Sequence, residues 1–186
     1  MNLIYWIVPC YFAVVLHEVA HAYVAFWCGD PTPKLMGRTT MNPLAHSELI
    51  GTLLVPLGMY LAIGVPLGWA RPVPITWAFL TGAQRARVAL AGPLCNLLQA
   101  GTWGFVMTML SVLESEHIYA PGWVERLASV GVLVNGLLAA INMVPLLPLD
   151  GGRALHSVLP PRWANRMARS EWVQMGLVCS VLVAAW

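Results

Sequence analysis

Residues 17–21 read HEVAH, inside an apolar run at 3–27 that holds no other charged residue. A helix turns about 100° per residue, so His17 and His21 stand roughly 40° apart, one turn along. Both imidazoles can then reach one metal ion. Glu18 falls roughly 60° from His21, within reach of a water on the same ion. Neutral imidazole ligates zinc and an adjacent carboxylate can act as general base, which is the chemistry of H-E-x-x-H hydrolases. An acidic residue at mid-span costs about 2.5–3.5 kcal/mol on insertion scales. A stretch that excludes charge and then admits Glu18 between two histidines is better explained by a site than by packing.

Two histidines do not complete a catalytic zinc, which takes three protein ligands and a water. His46, His117, His156 and Asp150 are the candidates, and topology chooses among them. Apolar runs cover 3–27, 49–70, 88–113, 127–149 and 172–186. A span needs about 20 residues, so the first, third and fourth read as crossing helices and the last as a shorter C-terminal helix. The run at 49–70 carries Gly51, Pro56, Gly58, Gly64, Pro66 and Gly68, breakers that mark re-entrant hairpins. If it returns to its starting side, Lys34, Arg38, Arg71, Arg85, Arg87, Arg153, Arg162, Arg166 and Arg169 share that side. The opposite loop, 114–126, then holds three glutamates and only Arg126. That is a positive-inside pattern with the basic segments in the cytoplasm. It makes the first and fourth runs parallel and brings Asp150, just past the fourth, beside His17 and His21 near the cytoplasmic face. His117 falls on the far side. A crossing second run would send Asp150 to the opposite face.

The composition agrees with a bilayer setting. Of 186 residues, 59% are hydrophobic and 10% charged, and the mean hydropathy is +0.70. An average soluble domain is about a quarter charged. The net charge of +2 comes from scattered basic residues, which argues against nucleic acid as a partner. Cys10, Cys28, Cys95 and Cys179 have no C-x-x-C spacing and read as small buried hydrophobes. The expected fold is an all-α polytopic membrane protein, residues 1–186 forming one domain. It has a three-helix catalytic core, a re-entrant hydrophobic hairpin, a small membrane-associated β element and a C-terminal helix. The β element would pair the Gly- and Pro-bounded stretches at 34–43 and 70–76, whose edges could hold an opened substrate by strand addition. Residues 153–171 mix arginine and tryptophan as an interfacial segment does.

The sequence resembles the site-2 protease family of intramembrane zinc metalloproteases. The resemblance lies in HEVAH at 17–21, NPLAH at 42–46, GWARPVP at 68–74, AGPLCN at 91–96 and NMVPLLPLDGGR at 142–153. It is to the compact prokaryotic branch, with no room for the PDZ domain that some relatives insert. It implies one Zn2+ per chain held by His17, His21 and Asp150, Glu18 as catalytic base, and Asn96 and Asn142 facing substrate or the developing oxyanion. His46 falls near the site. The implied activity is hydrolysis of peptide bonds within transmembrane segments of membrane proteins, as in regulated intramembrane proteolysis. A non-catalytic membrane metal-binding protein and a metal transporter are the other classes that use buried His, Glu and Asp. A transporter spreads such residues through the membrane depth, often in repeated halves. Here they cluster and no repeat is visible.

Overall fold

The computed structural model describes residues 3–64, 66 and 68–184. Its helices are α1 (Ile4–Trp27), the single turns α2 (Thr32–Leu35) and α3 (Pro43–His46), and α4 (Val55–Ile63), which continues a π-helical stretch at Leu49–Leu54. After these come α5 (Gly82–Ser115), α6 (Gly122–Asn142), α7 (Asp150–Val158), α8 (Pro161–Arg169) and α9 (Glu171–Ala184). The start of α5 is set by a capping box: Thr81 Oγ1 accepts from the Gln84 amide while the Gln84 side chain accepts from the Thr81 amide. Such a cap is worth about 1 kcal/mol.

α1, α5 and α6 pack on one another, and α7 packs on α5. Contacts along them fix their directions. Arg126 lies over the Tyr5 ring, and Trp6 and Ala13 pack with Val130 and Val134. Further along α1, Ala25 packs with Leu80 and Val88. Gly131 of α6 is filled by Trp103 of α5. α1 and α6 are therefore parallel and α5 runs against both. Small residues permit these close approaches, as at membrane helix interfaces.

The chain leaves α1 and enters α5 at the same end of the bundle, where Gln84 Nε2 donates to the Cys28 carbonyl at 3.0 Å. The segment between them folds back on itself. Trp69 N donates to Gly51 O at 2.9 Å and Arg71 N to His46 O at 2.8 Å. An outgoing helical arm is thus answered by an irregular strap at 68–76.

No β-strand forms among the described residues, which corrects the expected β element. The physical reason is that the strap's backbone donors are already committed. Val73 N goes to the Glu18 carboxylate, Thr76 N to the Asp30 carboxylate and Arg71 N to the His46 carbonyl that ends α3. Part of the 34–43 stretch is taken up by the helical turns α2 and α3. Neither segment is free to build a ladder.

Buried amides lie within the bundle, and many large apolar residues lie on its outside. Ile4, Ile7 and Phe12 on α1, Leu98 and Phe105 on α5, and Leu133 on α6 are exposed, whereas Asn96 and Asn135 are fully buried. A water-soluble monomer rarely shows such continuous apolar surface. Among the described residues, α1 and α6 are long and apolar enough to cross a bilayer. α5 has 34 residues, but Asn96, Gln99, Thr102 and Thr108 dilute its apolar character. In α8, Trp163 lies against the guanidinium groups of Arg162 and Arg166, at 5.8 and 5.5 Å.

Candidate metal centre

The spacing in HEVAH does what a helix requires. His17 and His21 stack edge to face with ring centroids 4.7 Å apart, and their Nε2 atoms are 3.1 Å from each other. Asp150 arrives at the first turn of α7, with Oδ2 at 3.1 Å from His17 Nε2 and 3.2 Å from His21 Nε2. The two glycines that follow are helical. A Cβ on Gly151 would fall 2.3 Å from Met143 O, and one on Gly152 would fall 2.3 Å from Leu146 O. They therefore let α7 press against the loop leaving α6, where the sequence suggests only a sharp turn. Gln174 of α9 fixes that loop by accepting from Leu147 N at 2.8 Å.

The opposite sides of both rings settle which nitrogen carries hydrogen. His21 Nδ1 donates to the Val88 carbonyl at 2.7 Å, and a carbonyl only accepts. His17 Nδ1 lies 2.6 Å from Asn96 Oδ1. The Asn96 amide is oriented by two acceptors: its Nδ2 donates to Ala13 O and to Asn135 Oδ1, both at 2.9 Å. Its oxygen must then face His17, whose Nδ1 must carry the proton. In the neutral form that ligates a metal, each imidazole then has Nε2 as its bare nitrogen, turned to the other ring and to a carboxylate oxygen.

Three electron-rich atoms about 3 Å apart repel one another unless a cation lies among them. A single proton satisfies only one pair, whereas a divalent ion satisfies all three. Tetrahedral zinc with ligand bonds of about 2.0–2.1 Å spaces its ligands by about 3.3 Å, close to the separations here. Room for the ion is left by α5. A Cβ added at Gly92 would sit 2.4 Å from His21 Nε2 and 2.6 Å from His17 Nε2. The residues present fit a zinc ion.

Beside the ligands is a cavity of about 350 Å³ whose lining includes Glu18, Asn142, Val73 and Arg153. Glu18 Oε2 accepts from Val73 N at 3.1 Å. Asn142 donates to Leu138 O at 3.0 Å and borders the cavity. Asn96 does not: it is fully buried, and its oxygen and amide nitrogen are engaged. It supports His17 where the resemblance points it at substrate. His46 is buried away from the cavity lining, with Nε2 donating to Thr40 O at 2.8 Å. His117 sits at the far end of α5, and His156 is outside the ligand cluster.

The sequence profile of Peptidase family M50 matches residues 5–120 and 105–183. The chain belongs to family M50, the site-2 protease family. Among its M50 relatives, "Putative zinc metalloprotease YwhC" of Bacillus subtilis is 32% identical over 170 residues, 90% of this chain and 74% of YwhC. "Putative zinc metalloprotease Rip2" of Mycobacterium tuberculosis is 31% identical over 162 residues, 86% of this chain and 59% of Rip2. "Zinc metalloprotease MJ0392" of Methanocaldococcus jannaschii is 27% identical over 165 residues, 87% of this chain but only 37% of that protein. No solved structure matches the chain significantly. M50 membership agrees with the apolar exterior of the bundle and with the convergence of His17, His21 and Asp150.

Two features escape the sequence reading. Asn135 is a second fully buried amide in the ligand support. Its signal was available, as a carboxamide inside the apolar run at 127–149, seven residues and two turns from Asn142. Asp30 is the other, a fully buried carboxylate accepting from Thr32 N and Thr76 N. It lies in a loop, where Asp reads as a turn residue.

Proposed function

We propose that this M50 chain is a single-domain intramembrane zinc metalloprotease that hydrolyses peptide bonds within or near transmembrane segments of membrane proteins. The observation that carries the reading is the meeting of two bare imidazole nitrogens and one carboxylate oxygen at a gap kept open by Gly92, with Glu18 on the adjoining cavity.

Bound zinc supplies Lewis acidity toward water and toward the scissile carbonyl. Glu18 takes a proton from the attacking water on a carboxylate oxygen and passes it to the leaving nitrogen. The Val73 N–H on Oε2 restrains that carboxylate at the cavity wall. Asn142 offers its carboxamide to the substrate backbone. A transmembrane helix hides its carbonyls in its own hydrogen bonds, so the substrate opens locally before attack. The strap at 68–76 borders the cavity and is the segment against which the opened peptide lies.

The basic segments at 28–48, 71–87 and 150–171 support a cytoplasmic-membrane location with the site near the cytoplasmic face. The folded-back arm at 49–63 supports a re-entrant hairpin. Its apolar helical stretch covers 14 residues, Leu49–Ala62, fewer than the roughly 20 that a span requires.

The test uses the full chain purified in detergent. Expected are one zinc per chain, cleavage of a synthetic transmembrane peptide, loss of cleavage with chelator, and its return with zinc. Glu18→Gln should keep the metal and lower cleavage by about 10²–10⁴-fold. Zinc uptake without cleavage would shift the reading to a metal-binding protein, and zinc movement into vesicles to a transporter.

A further inference from the structure

The geometry points to Asn135, on α6, as the positioning residue that fixes which nitrogen of His17 faces the metal. This inference rests on the metal centre proposed above and goes further, to a residue that neither touches the ion nor borders the cavity.

Asn135 Nδ2 donates to Gly131 O at 2.9 Å. Because that carbonyl only accepts, the Asn135 amide has one possible orientation, with Oδ1 toward α5. There it receives one hydrogen of Asn96 Nδ2, at 2.9 Å, while Ala13 O receives the other. Asn96 Oδ1 is thereby turned to His17 Nδ1. Each link is fixed by the previous one, and the series begins at Gly131 and ends at the lone pair on His17 Nε2. Both asparagines are fully buried, so no water can substitute for a missing link without a cavity to hold it. Partners one bond removed from a metal ligand typically alter affinity 10–100-fold.

If Asn135 is lost, Asn96 keeps only Ala13 O as an orienting acceptor, and its freed N–H must find another partner. Rotation of the amide then presents a donor to His17 Nδ1 and favours the tautomer whose hydrogen occupies the metal position.

Zinc affinity of the full chain in detergent, measured by chelator competition, tests this. Asn135→Leu, one bond further from the ligand than Asn96, should weaken zinc by about tenfold, the lower end of that range, and alter the visible spectrum of the Co2+-substituted protein. Asn135→Asp, protonated at this buried position, can donate to Gly131 O and accept from Asn96, and should recover most of the affinity. Val130→Ala, one turn away in the core beside Trp6 and Ala13, controls for lost packing and should leave affinity within about threefold of wild type. Asn135→Met removes the same acceptor with a flexible apolar side chain of similar reach and keeps the comparison open if the leucine variant does not fold. Wild-type affinity in Asn135→Leu or Asn135→Met, or an equal loss in Val130→Ala, overturns the assignment. Failure of the wild-type chain to bind zinc overturns the metal centre itself, which is a separate result.

Discussion

Around His17 and His21, the ring nitrogens facing α5, the two asparagine amides and the carbonyls they meet are all paired, at 2.6–2.9 Å. Across the cavity, the 28–76 region is held differently. Two carboxylates, Glu18 and Asp30, catch the backbone of the strap at Val73 and Thr76. Arg38 Nη1 and His46 Nδ1 are buried there without a hydrogen-bond partner in the structure. The first region is preorganised: moving one group would strand several others in low dielectric. The second is held by separate local bonds, each of which can be lost without stranding the others. An immobile set of ligands thus stands opposite a wall anchored by separate, local bonds.

Removing a ligand should break the comparison most severely. His21→Ala and Asp150→Ala are expected to take bound zinc from about one per chain to near zero, with cleavage below detection. Elemental analysis after gel filtration measures it, and full zinc in Asp150→Ala would mean that the third ligand lies elsewhere. Gly92→Ala should come next. Its Cβ would enter the space between the two histidines, so α5 must retreat or the ion must go, and zinc affinity should fall by about tenfold or more. An unchanged chelator-competition curve would remove Gly92 from the account. Asp30→Asn should have the smallest effect and sharpens the contrast. The amide can accept from Thr32 or Thr76 but not comfortably from both. The expected result is a roughly tenfold rise in hydrogen exchange at Thr76, at about 1–1.5 kcal/mol for the lost bond. Zinc affinity should not change. Loss of zinc in Asp30→Asn would make the two regions one mechanical unit and abolish the distinction.

The parts of the site that follow from periodicity and charge were legible. His17 and His21 share a face because of helical geometry, and Asp150 reaches them because α1 and α6 are parallel. Counting arginines on either side of the bundle indicates that arrangement. The ligand supports were not legible, since they depend on which amide hydrogen meets which carbonyl across three helices. Asn96 was visible as a buried polar residue, but its direction was not. The short stretches at 34–43 and 70–76 have strand-like composition, yet side-chain acceptors compete for their backbone, and composition does not record such competition. The glycines after Asp150 illustrate the same limit: the pair reads as a turn, and only three dimensions reveal the carbonyls pressing against it.

His21 and Asp150 are separated by 129 positions in the chain, and this has a consequence for biogenesis. A ribosome that has delivered α1 has supplied two of the ligands, and the third emerges only after the whole bundle has been made. Metal capture couples to folding when its ligands are scattered in this way. The cation site is therefore complete only once α1, α5 and α6 have all been made, so metal uptake reports that the bundle is finished.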